Sequence, residues 1–330
     1  MEQKTYNWGI IGMGRIARKF ADDLRRLPNA RLFAVASTAQ ERADAFAAEY
    51  EVPYAFGSYE AMLQCPGLDV VYVATPHVGH IPNTLLCLHA GLPVLCEKPF
   101  AMHGAEARQA VSIAREKGVF LMEAMWSQFI PGVQKALELA ESGAIGHLHG
   151  IKAELAFSMP FDPDWRLYNK SLGGGALLDL GVYPAWLALR LFGKPAPKQV
   201  QAAANFTTTA VDASCSFIFQ YPENRLMSGY ASVEAAMPPE AWLLGSEGYI
   251  RMHARWHHTQ NLSIGRYEGR ELKEETIALP HEGWGYQYEA AHVMQCLDAG
   301  LRESPEMPLQ RTLDLTDTLD VIAQKIGLVY

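Results

Sequence analysis

In the first third of the chain, short apolar runs alternate with stretches whose apolar positions recur every three to four residues. The runs predict strands at Asn7–Ile11, Arg31–Ala36, Asp69–Ala74, Pro93–Cys96 and Val119–Met122. The stretches between them predict helices at Arg15–Leu27, Ala39–Tyr50, Pro82–Ala90 and Ala105–Lys117. Strict alternation of β and α elements implies a parallel, doubly wound sheet. After about Trp126 the rhythm breaks. A helix at Gly132–Ser142, a long strand at His149–Phe157 and a helix from the Gly173 loop to Phe192 come next. Consecutive strand patterns follow at Gln199–Thr207, Ala213–Gln220, Arg225–Ala231, Ala241–Leu244 and Tyr249–Arg251, then helices at Tyr286–Ala299 and Leu313–Ile326. Helices set apart from runs of strands read as an α+β region with a mostly antiparallel sheet. The expectation is an α/β chain of two domains, 1–124 and 125–330, with the last helices free to pack back on the first.

A length of 330 residues is comfortable for two domains, and 49% apolar against 19% charged residues suits a well-cored enzyme. The net charge of −8, with no basic block, argues against nucleic acid as a partner. No signal-peptide pattern opens the chain, and no run reads as a membrane span, so a cytoplasmic protein is expected. Cys65, Cys87, Cys96, Cys215 and Cys296 are scattered and lack paired spacing, which reads as free thiols in a reducing compartment.

Candidate chemistry begins at Gly12-Met13-Gly14-Arg15-Ile16-Ala17, a G-x-G-x-x-A pattern between the first strand and the first helix. That context is the one a dinucleotide site requires. Gly12 allows the tight turn, Gly14 lets backbone approach a pyrophosphate, and the helix start at Arg15 and Ile16 offers free N–H groups. About twenty residues on, an NAD site places a carboxylate. This chain has Ser37 and Thr38 there, with Arg42 close behind. Hydroxyls and a guanidinium suit a 2′-phosphate, so NADP is favoured over NAD. The competing reading pairs Arg42 with Glu41 or Glu49 on the helix surface.

Two further segments are candidates for reaction chemistry, beside plainer readings in which Lys98 is a loop lysine reaching water, Tyr183 a core residue and Asp179 a helix-surface charge. Glu97-Lys98-Pro99 ends a buried strand, at the carboxyl edge where ligands of open α/β sheets gather. Gly173-Gly174-Gly175 precedes a helix bearing Asp179 and Tyr183, four residues apart and therefore on one face. The glycines suggest close backbone approach to a ligand. An unperturbed tyrosine has a pKa of about 10. A neighbouring ammonium lowers it, making the phenol a usable general acid/base. Lysine, aspartate and tyrosine together are equipment for moving a proton while a hydride is exchanged. His253, His257 and His258 lack companion carboxylates, so no metal is expected and an exposed strand or loop is favoured for them.

This arrangement resembles the glucose–fructose oxidoreductase and inositol dehydrogenase family (Gfo/Idh/MocA). The resemblance rests on Gly9 to Ala17, Ala74-Thr75-Pro76, Glu97-Lys98-Pro99 and Gly173 to Tyr183, and it covers nearly the whole chain. It implies a nicotinamide-dependent dehydrogenase acting on CH–OH donors such as a sugar or a cyclic trans-diol. It implies catalytic Lys98, Asp179 and Tyr183, with Thr75, Pro76, His80 and Glu97 lining the cofactor. It also implies a large open sheet in the second domain, used for a homodimer or homotetramer. Tyrosine at position 183, where many members carry histidine, is similar to the dihydrodiol and xylose dehydrogenase branch. Met122 to Trp126, Trp165 to Asn169 and Gly283 to Ala290 share that look, and Trp165 and Arg166 are placed with the cofactor on this ground. One departure is Gln128, where the branch leads one to expect arginine. The alternative function is a cofactor-binding regulator of the same fold that has lost catalysis.

Overall fold

The computed structural model describes residues 4–193 and 196–330. The chain divides into two compact units, Met1–Trp126 with Glu282–Leu313, and Ser127–His281 with Asp314–Tyr330. The first unit contains β1 (Tyr6–Ile11), α1 (Arg15–Leu24), β2 (Ala30–Ala36), α2 (Gln40–Tyr50), β3 (Tyr54–Phe56) and α3 (Tyr59–Leu63). It continues through β4 (Val70–Val73), α4 (His80–His89), β5 (Val94–Glu97), α5 (Gly104–Lys117) and β6 (Leu121–Ala124). The second unit holds α6 (Pro131–Glu141), β7 (Leu148–Ala156), α7 (Val182–Phe192), β8 (Gln199–Phe206), β9 (Asp212–Tyr221) and β10 (Arg225–Ser232). It adds β11 (Ala241–Gly245), β12 (Gly248–Met252), β13 (Asn261–Glu268) and β14 (Glu271–Ala278). Finally, α8 (Tyr286–Asp298) belongs to the first unit, and α9 (Leu309–Ile326) runs from the first into the second.

The first unit is the parallel doubly wound sheet that the alternating pattern implies. Its strands are ordered β3-β2-β1-β4-β5-β6 and all pair in parallel. β1 lies between β2 and β4, with Ile11 opposite both Ala36 and Val73. The strand order therefore reverses at β1, which is where open α/β sheets open a crevice for ligands. β4, β5 and β6 are buried throughout, as strands covered on both faces must be.

β6 starts two residues later than the apolar run suggests. Gly118 takes a left-handed conformation (φ +62°) and the Val119 N–H bonds Ala114 O, so these residues close α5 instead of opening the strand. The shift puts Glu123 inside the sheet, 1% exposed. β3 and α3 are short additions that the periodicity does not announce.

The second unit carries an eight-stranded sheet ordered β14-β13-β12-β11-β7-β10-β9-β8, antiparallel except for β7 with β10. Along β9 the residues alternate, with Cys215, Phe217, Phe219 and Tyr221 buried and Ser216, Ile218 and Gln220 exposed. α6 and α7 cover the inner face. α7 is buried on nearly every side, as a helix apolar all round must be. The stretch Lys170–Phe192 is long and apolar enough to cross a membrane, which corrects the expectation that no run reaches that length. In this fold 83% of its apolar window is buried. The five cysteines are buried, unbridged thiols.

Candidate functional site

Four features of the first unit converge on the carboxyl ends of its strands. At the β1–α1 turn, Gly12 has φ +94°, and a Cβ there would lie 2.7 Å from Ala74 O at the end of β4. Only glycine fits that left-handed turn. Gly14 starts α1, and a Cβ there would meet no protein atom within 4 Å. No side chain caps the helix, so its first-turn N–H groups and positive dipole end face an exposed turn at Gly14 and Arg15, with Ile16 half-buried. Ala17 is fully buried, which lets α1 approach the sheet. These features fit a pyrophosphate.

At the end of β2, the Arg42 guanidinium donates to Ser37 Oγ at 3.0 Å and to Thr38 Oγ1 at 2.6 Å. Glu49 instead pairs with Arg18. Two hydroxyls and an exposed guanidinium are thus gathered at one strand end, with no carboxylate among them. After β4 come Thr75 and Pro76. The His80 ring, 1% exposed, sits between Pro99 O (2.7 Å from Nδ1) and Thr75 O (2.9 Å from Nε2). A ring facing two carbonyl oxygens satisfies both only when it is doubly protonated. His80 therefore ties the Thr75 turn to the loop after β5.

That loop holds Lys98, half-buried, before the cis peptide to Pro99. Its supports come from three buried groups. Glu97 accepts the Lys98 N–H at 3.1 Å and the Tyr72 hydroxyl. Glu123 accepts the Phe100 N–H at 3.2 Å. His80 holds Pro99 O. Burial pushes the Glu123 carboxyl up to about 7, against the opposing pulls of its hydrogen bonds and the Lys98 charge. Glu289 on α8, fully buried beside Glu97 and Asp23, is pushed well above the carboxylate range by burial and then by those charges.

In the second unit, the turn before α7 is a wide π-helical turn at Leu177–Gly181, a local feature frequent at functional sites. It carries Asp179, and α7 then carries Tyr183, 5% exposed. The Arg166 guanidinium donates to Asp179 Oδ1 at 3.2 Å from two nitrogens and to Oδ2 at 3.4 Å, with the Asp179 side chain 13% exposed. Arg166, placed with the cofactor by resemblance, is therefore the partner of Asp179. Trp165 is half-buried, its ring 6.3 Å from that of Tyr168.

Two sequence readings change here. His257 is neither exposed nor in an open loop. It is 8% exposed, and its ring centroid lies 5.1 Å from that of Tyr183. Ser127 Oγ donates to its carbonyl oxygen at 2.6 Å. The glycine run also serves the protein itself. A Cβ on Gly174 would lie 2.6 Å from both Arg166 O and Leu167 O, and one on Gly175 (φ +119°) 2.1 Å from Asp212 Oδ1. Gln128, found where an arginine was expected, is 1% exposed.

Sequence reasoning missed Glu123 and Tyr72, and it placed His257 in an exposed strand or loop. A carboxylate inside the apolar run Val119–Ala124 is a signal for the first. Tyr72 reads as an apolar strand residue, and nothing local marks His257.

Comparison with known proteins agrees with this geometry. Residues 6–125 match the oxidoreductase family with an NAD-binding Rossmann fold (GFO_IDH_MocA), and residues 133–251 match the GFO/IDH/MocA C-terminal domain. The chain is 36% identical to trans-1,2-dihydrobenzene-1,2-diol dehydrogenase of Mus musculus over 328 residues, covering 98% of this chain and 97% of the relative. It is 32% identical to the protein of that name in Homo sapiens over 327 residues, with the same coverage. Two solved structures share the fold at 22% identity and 98% coverage of both chains. One is a 3-ketoreductase from Actinomadura kijaniata with NADP and TDP-benzene (TM-score 0.86). The other is an aldose–aldose oxidoreductase from Caulobacter crescentus with glycerol (TM-score 0.87).

Proposed function

Since the chain belongs to the GFO/IDH/MocA oxidoreductase family, we propose that it is an NADP-preferring dehydrogenase of a secondary alcohol in a cyclic trans-diol or a sugar. The observation that carries this reading is the Lys98 loop, held by Glu97, Glu123 and His80 at the carboxyl edge of the parallel sheet. A lysine so constrained is built to present its ammonium at one place. The dihydrodiol dehydrogenase names of the relatives support the diol, and the sugar oxidoreductase among the structural neighbours supports the sugar.

The cofactor's phosphates suit the α1 start, with Gly12, Gly14, Arg15 and Ile16 around them. Ser37, Thr38 and Arg42 suit a 2′-phosphate, and a structural neighbour holds NADP. Thr75, Pro76, His80 and Glu97 line the nicotinamide end. The bound nicotinamide supplies hydride chemistry at its ring carbon.

The chain's own side chains handle the proton and the oxygen. Lys98 polarises the substrate oxygen. Tyr183 exchanges the proton of the substrate hydroxyl through its phenol. Asp179, fixed by the Arg166 fork, orients that hydroxyl. The apolar residues Ile218, Leu226 and Leu244 share the outer face of the large sheet and are 42%, 50% and 43% exposed. This face suits a second copy of the chain as a homodimer or homotetramer, and the five buried thiols suit a reducing cytosol.

The test is nicotinamide absorbance with NADP+ and NAD+ across trans-dihydrodiols, aldoses and inositols. Turnover with NADP+ on a diol or sugar is expected. Silence across the panel, with cofactor binding intact, moves the reading to a regulator.

A further inference from the structure

The second unit places two groups, far apart in sequence, beneath the segment that carries Asp179 and Tyr183. Asp212 opens β9 and is fully buried. Its Oδ2 accepts the Leu177 N–H at 2.6 Å, at the first residue of the wide turn. Its Oδ1 occupies the space beside Gly175 that any larger residue's Cβ would fill, 2.1 Å from that position. The Tyr330 hydroxyl donates to Gly174 O at 2.5 Å, and it also lies 3.2 Å from the Gly175 Cβ position. A carboxylate and a phenol thus grip the two ends of the Gly174–Leu177 turn, one at the Leu177 N–H and the other at the Gly174 carbonyl.

We propose that Asp212 and Tyr330 are positioning residues that fix the turn ahead of α7, and through it the aim of Asp179 and Tyr183. This inference rests on the functional reading above for what those two side chains do. The reasoning is geometric. A turn with glycines at three successive positions is free to take many backbone paths. A helix start misplaced by about an ångström costs on the order of a hundredfold in rate when it carries reacting groups.

The two grips act on different atoms, a carbonyl oxygen and an amide N–H, so together they restrain both the position and the tilt of the turn. Burial also pushes the Asp212 carboxyl up to about 7, while the Leu177 N–H pulls it down. The titratable groups that face this pair are Cys215 on β9 and Asp179. Neither Asp212 nor Tyr330 touches the reacting atoms in this role.

The experiment uses the full chain with NADP(H) and the alcohol that turns over fastest. Tyr330→Phe removes only the hydroxyl, and Asp212→Asn keeps an oxygen for the Leu177 N–H. Tyr330→Phe and Asp212→Ala, which removes the acceptor of the Leu177 N–H, are expected to lower kcat roughly tenfold per folded enzyme, with KM within about twofold and cofactor Kd unchanged, while Asp212→Asn recovers most of the activity. Hydrogen exchange at the Gly174–Leu178 amides is expected to speed up roughly tenfold in Tyr330→Phe. An unchanged kcat per folded enzyme overturns the proposal, and so does a kcat loss that merely follows a loss of Tm or of cofactor affinity. Unchanged exchange at the turn overturns it whatever the substrate. Wild-type enzyme that is silent on every alcohol sinks the functional reading alone, because the exchange measurement still decides this one.

Discussion

The Lys98 loop and the Asp179–Tyr183 turn are anchored by the same device, yet the two differ in where its parts come from. In each, a buried carboxyl pushed up to about 7 accepts a backbone N–H of the segment: Glu123 takes Phe100, and Asp212 takes Leu177. Around Lys98 the other supports are near neighbours in the sheet, with Glu97 beside it and Tyr72 on the adjacent strand. Around the turn they come from Arg166, β9 and Tyr330. A loop at a strand end inherits its geometry from the ladder beneath it. A turn ahead of a helix has no ladder, so it needs side chains brought from a distance. Buried acids supply strong acceptors at both places, at the cost of desolvating a carboxyl.

The sharpest way to break the comparison is to remove the chemistry from each segment. Lys98→Met and Tyr183→Phe are each expected to cut turnover by roughly a hundredfold or more, with cofactor still bound. Near-normal turnover in one variant alone makes the two segments unequal and assigns the chemistry to the other. Steady-state rates beside a cofactor fluorescence titration decide this.

The next effect is on stability. A carboxyl whose folded pKa lies above its unfolded value favours the folded state when protonated. That contribution is complete below the unfolded pKa of about 4.3 and is lost as pH rises through about 7. Urea unfolding is therefore expected to show lower stability at pH 8 than at pH 5. Glu123→Gln keeps an acceptor for the Phe100 N–H and carries no charge at either pH. It is expected to shrink that difference by about 2 kcal/mol. An undiminished difference would mean that Glu123 is ionised in the fold.

A smaller effect tests the cofactor end. Arg42→Ala is expected to weaken NADP+ binding about tenfold and leave NAD+ binding within about twofold. Equal losses for both cofactors would make Arg42 a fold residue instead of a phosphate reader. The closeness of these groups was readable from sequence because it is local: Ser37, Thr38 and Arg42 sit within one β2–α2 junction, as Gly12, Gly14 and Ala17 sit within one turn. Most of the first unit's sheet was equally readable, since β1, β2, β4 and β5 follow largely apolar runs, while short β3 went unannounced and β6 begins two residues late. Asp212, Tyr330 and His257 were not readable, because their roles depend on contacts between residues far apart in the chain. Local spacing reports what a segment offers, and only the fold reports what grips it.

The hairpin β13–β14 marks the other limit of sequence reading, and it yields the smallest effect. β14 reads Glu-Leu-Lys-Glu-Glu-Thr-Ile-Ala and is exposed along nearly its whole length, so no alternation betrays a strand. It pairs with β13 from Glu271 opposite Glu268 to Ala278 opposite Asn261, around Gly269 at φ +67°. Backbone pairing and a turn that accepts a left-handed residue therefore define it, with β13 buried from Leu262 to Gly265 as its footing. Its surface ion pair, Lys273 with Glu268, joins side chains 56% and 65% exposed. Water screens such a pair and the two side chains lose freedom in forming it, so Lys273→Ala is expected to change unfolding free energy by less than about 0.5 kcal/mol. A loss several times larger, measured by urea unfolding, would mean that this edge is held by its charges. The second unit would then rely on a surface charge pair as well as on buried Asp212 and the Arg166–Asp179 pair.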